Sequence, residues 1–163
     1  MAGARAAQDS SRPVRRAEEE RCPLANGVYA VLSEALTRKP AQPGEAPQLV
    51  CIYDQKYSEF DKDEPPKYIA LDRSSFVPLI LAGPPETEKD DRGWTLLRLT
   101  LAREHVTTLE EFTRTHLNGR VAIVIGGEIV TMHKIRTVIQ DGRAQITRCT
   151  DDACEILRLK LTK

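Results

Sequence analysis

Aromatic residues are scarce, at 5% of 163 positions with a single tryptophan. Platforms that stack bases or sugars depend on exposed rings, so that class of protein is disfavoured. A charge surplus is also missing, because 24 Lys and Arg balance 24 Asp and Glu. Nucleic-acid binders gain affinity by replacing counterions with cations, and none are in excess here. No nucleic-acid partner is expected. Uninterrupted apolar runs are short, reaching five residues in Val121–Ile125. A membrane-spanning helix needs about 20, and an export signal an apolar stretch of about 7–15. The chain is therefore read as soluble, with no membrane span. Its expected location is periplasmic or otherwise outside the cytoplasm if a signal or anchor was removed, and cytoplasmic if not.

Catalytic patterns are equally thin. The four cysteines, Cys22, Cys51, Cys149 and Cys154, contain no C-x-x-C spacing, so neither a zinc ribbon nor a thioredoxin-type motif is indicated. They read as small buried residues. An oxidised Cys149–Cys154 pair would close only a very short loop. The three histidines, His105, His116 and His133, show no H-E-x-x-H spacing, and no G-x-S-x-G or phosphate-binding glycine loop exists. His133 with Cys149 and Cys154 is the one grouping that could serve a metal or thiol enzyme, and it lacks the fourth ligand a structural zinc requires. The carboxylates of Asp61, Asp63 and Glu64, and of Glu86, Glu88, Asp90 and Asp91, fall in polar stretches that solvation explains. The expectation is a non-enzymatic protein without metal or cofactor.

What is present divides the chain in three. Residues 1–21 carry five arginines and three consecutive glutamates with little to bury, and read as a disordered tail. Residues 22–66 form a Pro-rich segment with one or two short elements. Leu24, Val28, Val31, Leu32, Ala35 and Leu36 fit helical spacing, while Gly27 and the β-branched residues fit a strand over Val28 to Leu32 equally well. Leu49 to Tyr53 reads as a short strand. Eight of the ten prolines lie between Pro40 and Pro85. Proline removes a backbone donor, so this half should be rich in loops.

Residues 67–163 form the third part. Tyr68 to Leu71 suggests a strand, Ser74 or Ser75 a cap for a short helical turn, and 83–93 a polar loop. Leu97, Leu99 and Leu101 alternate with Arg98 and Thr100, a strand with one wet face. Thr107 and Thr108 with Glu110 and Glu111 form a capping-box pattern ahead of Leu109, Phe112, His116 and Leu117. Val121 to Ile125 reads as a central strand, Gly126 and Gly127 as a two-residue turn, and Glu128 to Thr131 as its partner. A short apolar helix over Ile135 to Ile139, a turn at Asp141-Gly142 and a strand over Arg143 to Cys149 follow. Thr150 can cap a final helix whose acidic start and basic end suit the macrodipole. Together these predict an α+β fold: two layers, a mainly antiparallel sheet, and helices packed on one face.

The order and spacing of Thr113, Gly119, Ala122, Ile123, Val124, Gly127, Val130, Ile135, Ile139, Gly142, Ile146, Thr147 and Ala153 resemble a known pattern. It is that of the head subdomain in the first periplasmic domain of the SecD and SecDF protein-export subunits. The resemblance is strongest over 112–153 and extends back to about residue 68. Residues 1–66 match nothing nameable. Gly126 stands where the family has Asp, Met132-His133 where it has proline, and Arg148 where it has glycine. The resemblance implies a soluble domain that contacts an unfolded or secretory polypeptide, or another protein. It cannot imply the family's proton-driven motor, which needs charged residues inside transmembrane helices. Ile129, Val130, Met132 and Ile135, on the hairpin, are the candidate partner-binding residues, and Gly126, Gly127 and Gly142 the structural turns. A structural or interaction domain reusing the fold outside export is the alternative.

Overall fold

The computed structural model describes residues 22–38, 48–58, 63–147 and 151–162. Its organising element is β6 (Arg120–Ile125). Val121, Ile123 and Ile125 enter one core, while Ala122 and Val124 enter a second. A strand covered on both faces has no wet positions to fill, hence its continuous apolar sequence. On one side β6 pairs antiparallel with β1 (Gly27–Ala35), and on the other with β7 (Glu128–Lys134). The β6–β7 turn places Gly126 and Gly127 at φ +61° and +76°. Both values lie in the left-handed region that a two-residue turn of this hand requires. β3 (Lys67–Pro78) and β2 (Gln48–Tyr53) complete a five-stranded sheet of order β2-β3-β1-β6-β7.

A second antiparallel sheet has the order β4-β5-β8, from β4 (Glu86–Lys89), β5 (Thr95–Thr100) and β8 (Arg143–Ile146). Two helices, α1 (Arg103–Thr115) and α2 (Asp151–Leu161), follow β5 and β8. The larger core joins both sheets through Val28, Val77, Leu97, Leu99, Ile123 and Ile146. Leu109 and Phe112 of α1 and Ala153 and Leu157 of α2 enter it too. The smaller core fills the inside of the curled five-stranded sheet with Tyr29, Tyr53, Ile69, Leu71, Val124 and Ile129. Both helices thus serve one face of that sheet. The α+β class and antiparallel pairing agree with expectation, and the separate three-stranded sheet is added by the structure.

Several local expectations are corrected. The ambiguous 28–36 segment is the strand β1, because pairing with β3 and β6 overrides its helical spacing. Residues 27–35 and 48–53 are built into the same sheet as β6. Ser74 caps no helix. It lies in a bulge of β3, between the pairs Tyr29–Phe76 and Val31–Leu71. There Asp72 Oδ1 accepts from the Ser74 N–H and Oγ at 2.8 and 2.6 Å. The loop expected over 83–93 contains β4. α1 begins four residues before the predicted cap: Ala102 is the N-cap without a side-chain hydrogen bond, held by its N–H to Ile80 O at 2.8 Å. Ile135 to Ile139 is not helical, and β7 runs on to Lys134. The Pro-rich half carries long strands, with Pro65, Pro66, Pro84 and Pro85 between them and Pro78 ending β3. Residues 1–21, Arg148, Cys149 and Thr150 lie outside the described residues.

Candidate functional site

β7 and β8 are edge strands, one from each sheet. A cleft runs between them as two hollows that share His133, Lys134 and Arg136 in their walls. The first, about 430 Å³, is largely polar and is walled by Tyr53, Tyr57, Thr131, Met132, Ile146 and Thr147, among others. The second, about 400 Å³, has an apolar floor of Val28, Leu109, Val121, Ile123, Ile135 and Ile139. Its wall is pinned in place: the Ile139 N–H donates to Thr113 Oγ1 at 3.0 Å, and that hydroxyl donates to Leu109 O at 2.9 Å. Thr131 Oγ1 lies 3.1 Å from His133 Nε2. Burial pushes the His133 imidazole below its ordinary pKa, which favours the neutral ring.

The sequence-predicted contact residues do not form one exposed patch. Ile129 and Val130 are each 2% exposed and Ile135 is 7% exposed. Adjacent strand residues face opposite sides, so Ile129 enters the smaller core and Val130 the larger. Met132 is half-buried against the smaller core. Of these four, Met132 is therefore the one whose side chain is not buried. Gly142 has φ +69° and opens β8.

A second cluster closes the seam where β2 meets β7. Glu128 Oε2 accepts from the Tyr57 hydroxyl at 2.5 Å and from Lys160 Nζ at 3.1 Å. Its Oε1 accepts from Lys56 Nζ at 2.5 Å. Sequence reading missed this cluster, since its members are 32 to 103 positions apart apart from Lys56 and Tyr57. No local spacing marks it.

Cys22 and Cys51 form a disulfide that ties the segment before β1 to β2. Cys154 is disulfide-bonded as well. The three are buried, as the sequence reading has it, and they are bridged rather than free. The pairing is not legible locally because Cys22 and Cys51 are 29 positions apart. They meet only where the Cys22 N–H donates to Gly127 O at the β6–β7 turn and the curl of the sheet carries β2 to β7. Cys154 is then no free thiol for the His133, Cys149 and Cys154 grouping. No cluster of three His, Cys, Asp or Glu that could hold a metal occurs among the described residues.

The molecule is thus a two-sheet α+β domain with a groove between two sheet edges. No family model matches the sequence, and no curated protein matches it. Solved structures do. One, described as a membrane component SecDF that enhances protein export, matches 97% of this chain and 70% of its own, at 18% identity and a TM-score of 0.50. A likeness at that identity is one of fold, and it takes in β1 and β2, which the sequence alone left unmatched. SecDF from Thermus thermophilus, described as a translocon-associated membrane protein, matches 96% of this chain at 22% identity and a TM-score of 0.49. SecDF in a super-membrane-facing form matches 56% at 28% identity and a TM-score of 0.46. This chain spans only 21% and 12% of those two proteins. The SecDF-like resemblance read from the sequence is matched by the fold.

Proposed function

We propose that this chain is a non-enzymatic, SecD-head-like domain that works in protein export by contacting a polypeptide outside the cytoplasm. The reading is carried by a fold that follows, over 97% of the chain, a structure described as enhancing protein export. Two further observations support it. The Cys22–Cys51 disulfide suits an oxidising compartment such as the periplasm. The cleft sets two sheet edges beside an apolar hollow, the kind of surface on which extended peptides dock. No described helix is long and apolar enough to cross a membrane, so the proposed role is contact and not ion-driven movement. Ile129, Val130, Met132 and Ile135 bear on it as β7 backbone and wall residues, with Met132 half-buried and the other three buried. The test is backbone NMR of the full chain titrated with unfolded secretory peptides. Shifts should concentrate between Ile129 and Ile135 and along β8, and a panel that moves neither strand would sink the proposal.

A further inference from the structure

The groove carries a local charge that the neutral chain as a whole does not. Lys134, Arg136 and Arg143 stand exposed around the apolar hollow. None has an ion-pair partner among the described residues, whereas Arg98, Arg114, Arg120 and Arg158 are each paired to a glutamate. No Asp or Glu lines either hollow. The mouth is therefore a rim of three cations above an apolar floor, with Asp141 held against the Arg143 backbone as the neighbouring carboxylate.

The backbone of β8 adds a direction. Leu101 N–H donates to Gly142 O at 2.9 Å. With Leu99 opposite Ala144 and Leu97 opposite Ile146, the antiparallel alternation turns the backbone groups of Ala144 and Ile146 toward β5. Those of Arg143 and Gln145 then point outward, along the open edge of the sheet. The Arg143 N–H is met by Asp141 Oδ1 at 3.1 Å, which leaves the Arg143 carbonyl and both groups of Gln145 for an added strand.

We infer that the cleft selects an extended polypeptide segment in which a large aliphatic side chain is flanked by acidic residues. This rests on the polypeptide-contact reading above and gives it a specificity. The segment's backbone adds to β8. Its aliphatic side chain enters the 400 Å³ hollow. Because neighbouring side chains on a strand point to opposite faces, the flanking carboxylates turn outward, toward Lys134, Arg136 and Arg143. The floor is already formed, so the ordering cost of binding falls on the peptide and not on the domain.

Fluorescence anisotropy of the full chain with labelled synthetic decapeptides tests this. One peptide carries a leucine-rich centre flanked by Asp, and a second carries the same centre flanked by Lys. The Asp peptide should bind about tenfold more tightly. The triple variant K134Q/R136Q/R143Q should erase that preference. Q145P removes an outward N–H that β5 does not use, so it should fold, because proline is tolerated at such edge positions. It should weaken both peptides about equally. Equal binding of the Asp and Lys peptides would overturn this inference and leave polypeptide contact standing. Unchanged affinity in Q145P, with circular dichroism like the parent, would overturn strand addition on β8. Failure of every peptide to bind would overturn both the inference and the function it rests on.

Discussion

The Tyr57 hydroxyl donates to Glu128 Oε2 at 2.5 Å, joining the segment after β2 to the first residue of β7. Lys160, near the end of α2, reaches the same carboxylate oxygen and also lies 3.3 Å from the Tyr57 hydroxyl. Three parts of the chain are thus held at one carboxylate, on the seam where the five-stranded sheet curls toward closure. Burial alone would raise the Glu128 pKa. Hydrogen bonds from Lys56, Tyr57 and Lys160 outweigh it and hold the carboxyl at about 2. Tyr57 moves the other way: burial, then its bond to the Glu128 carboxylate, pushes the phenol up.

A stability that depends on acid follows. The folded pKa of Glu128 lies below the ordinary 4.5, so its contribution is complete above about pH 4.5 and is lost as pH falls toward 2. Its side chain is 29% exposed and that of Lys56 is 47% exposed, so screening trims the effect to on the order of 2 kcal/mol. Glu128→Gln should lower unfolding stability by about that amount at pH 7. The gap to the parent should narrow steadily between pH 4.5 and 2. Urea melts across that range measure it, and a gap independent of pH would show that the cluster does not act through the carboxylate's charge.

The Cys22–Cys51 bridge closes a loop of 29 positions. In the chain-entropy account, a closure of this length is worth about 3–4 kcal/mol. The double variant C22A/C51A should lose about that much while Cys154 keeps its own bridge. Denaturant midpoints of parent and variant under oxidising conditions read the loss directly. A midpoint shift near zero would mean that the bridge is absent from the folded protein.

Ile123 is 3% exposed and belongs to the larger core, beneath the apolar hollow. Truncating it to Ala should cost about 2–5 kcal/mol, from lost transfer energy and the cavity left behind. Leu117, just after α1, is 44% exposed, and Leu117→Ala should stay within about 0.5 kcal/mol. The contrast in thermal midpoint between two aliphatic truncations six residues apart reports burial more surely than either value alone.

The regular parts of this fold are written in local sequence, and the cleft and the clamp are not. Val121–Ile125 announces a strand covered on both faces. Leu97, Leu99 and Leu101 announce one buried face, and all three are at most 2% exposed. β1 was ambiguous because Leu24, Val28, Val31 and Leu32 satisfy two periods, and only its partners β3 and β6 choose between them. β4 was invisible for the opposite reason: Glu86 to Lys89 are all exposed, so no apolar alternation marks the strand. The start of α1 was misplaced because Ala102 offers no capping side chain, and its backbone O accepts the first-turn His105 N–H instead while its own N–H is held by Ile80 O. Ile129, Val130 and Ile135 lie on or beside the hairpin, but their burial comes from the two cores on either side of it, whose other elements the sequence could not position. The cation rim joins Lys134 and Arg136 to Arg143 across two sheets. Glu128 finds Tyr57 from 71 positions away.

Gly142 offers a sharp test of the turn that delivers β8 to the cleft. Its φ of +69° is one that side chains resist, and a Cβ there would meet Val106 Cγ2 of α1 at 2.7 Å. Backbone strain of about 1–2 kcal/mol and a clash with a β-branched side chain act together. Gly142→Ala should therefore destabilise by more than strain alone, about 2–4 kcal/mol. Adding Val106→Ala should return the part due to the clash and leave the strain. Gly83 is the control, since a Cβ there meets nothing within 4 Å and its φ is not in the left-handed range. Gly83→Ala should be neutral or slightly stabilising, because it restricts the unfolded chain. Urea midpoints of the four proteins separate the two costs. If Gly142→Ala proved as silent as Gly83→Ala, the close packing of α1 on this turn, and with it the position of Arg143 at the cleft mouth, would be wrong.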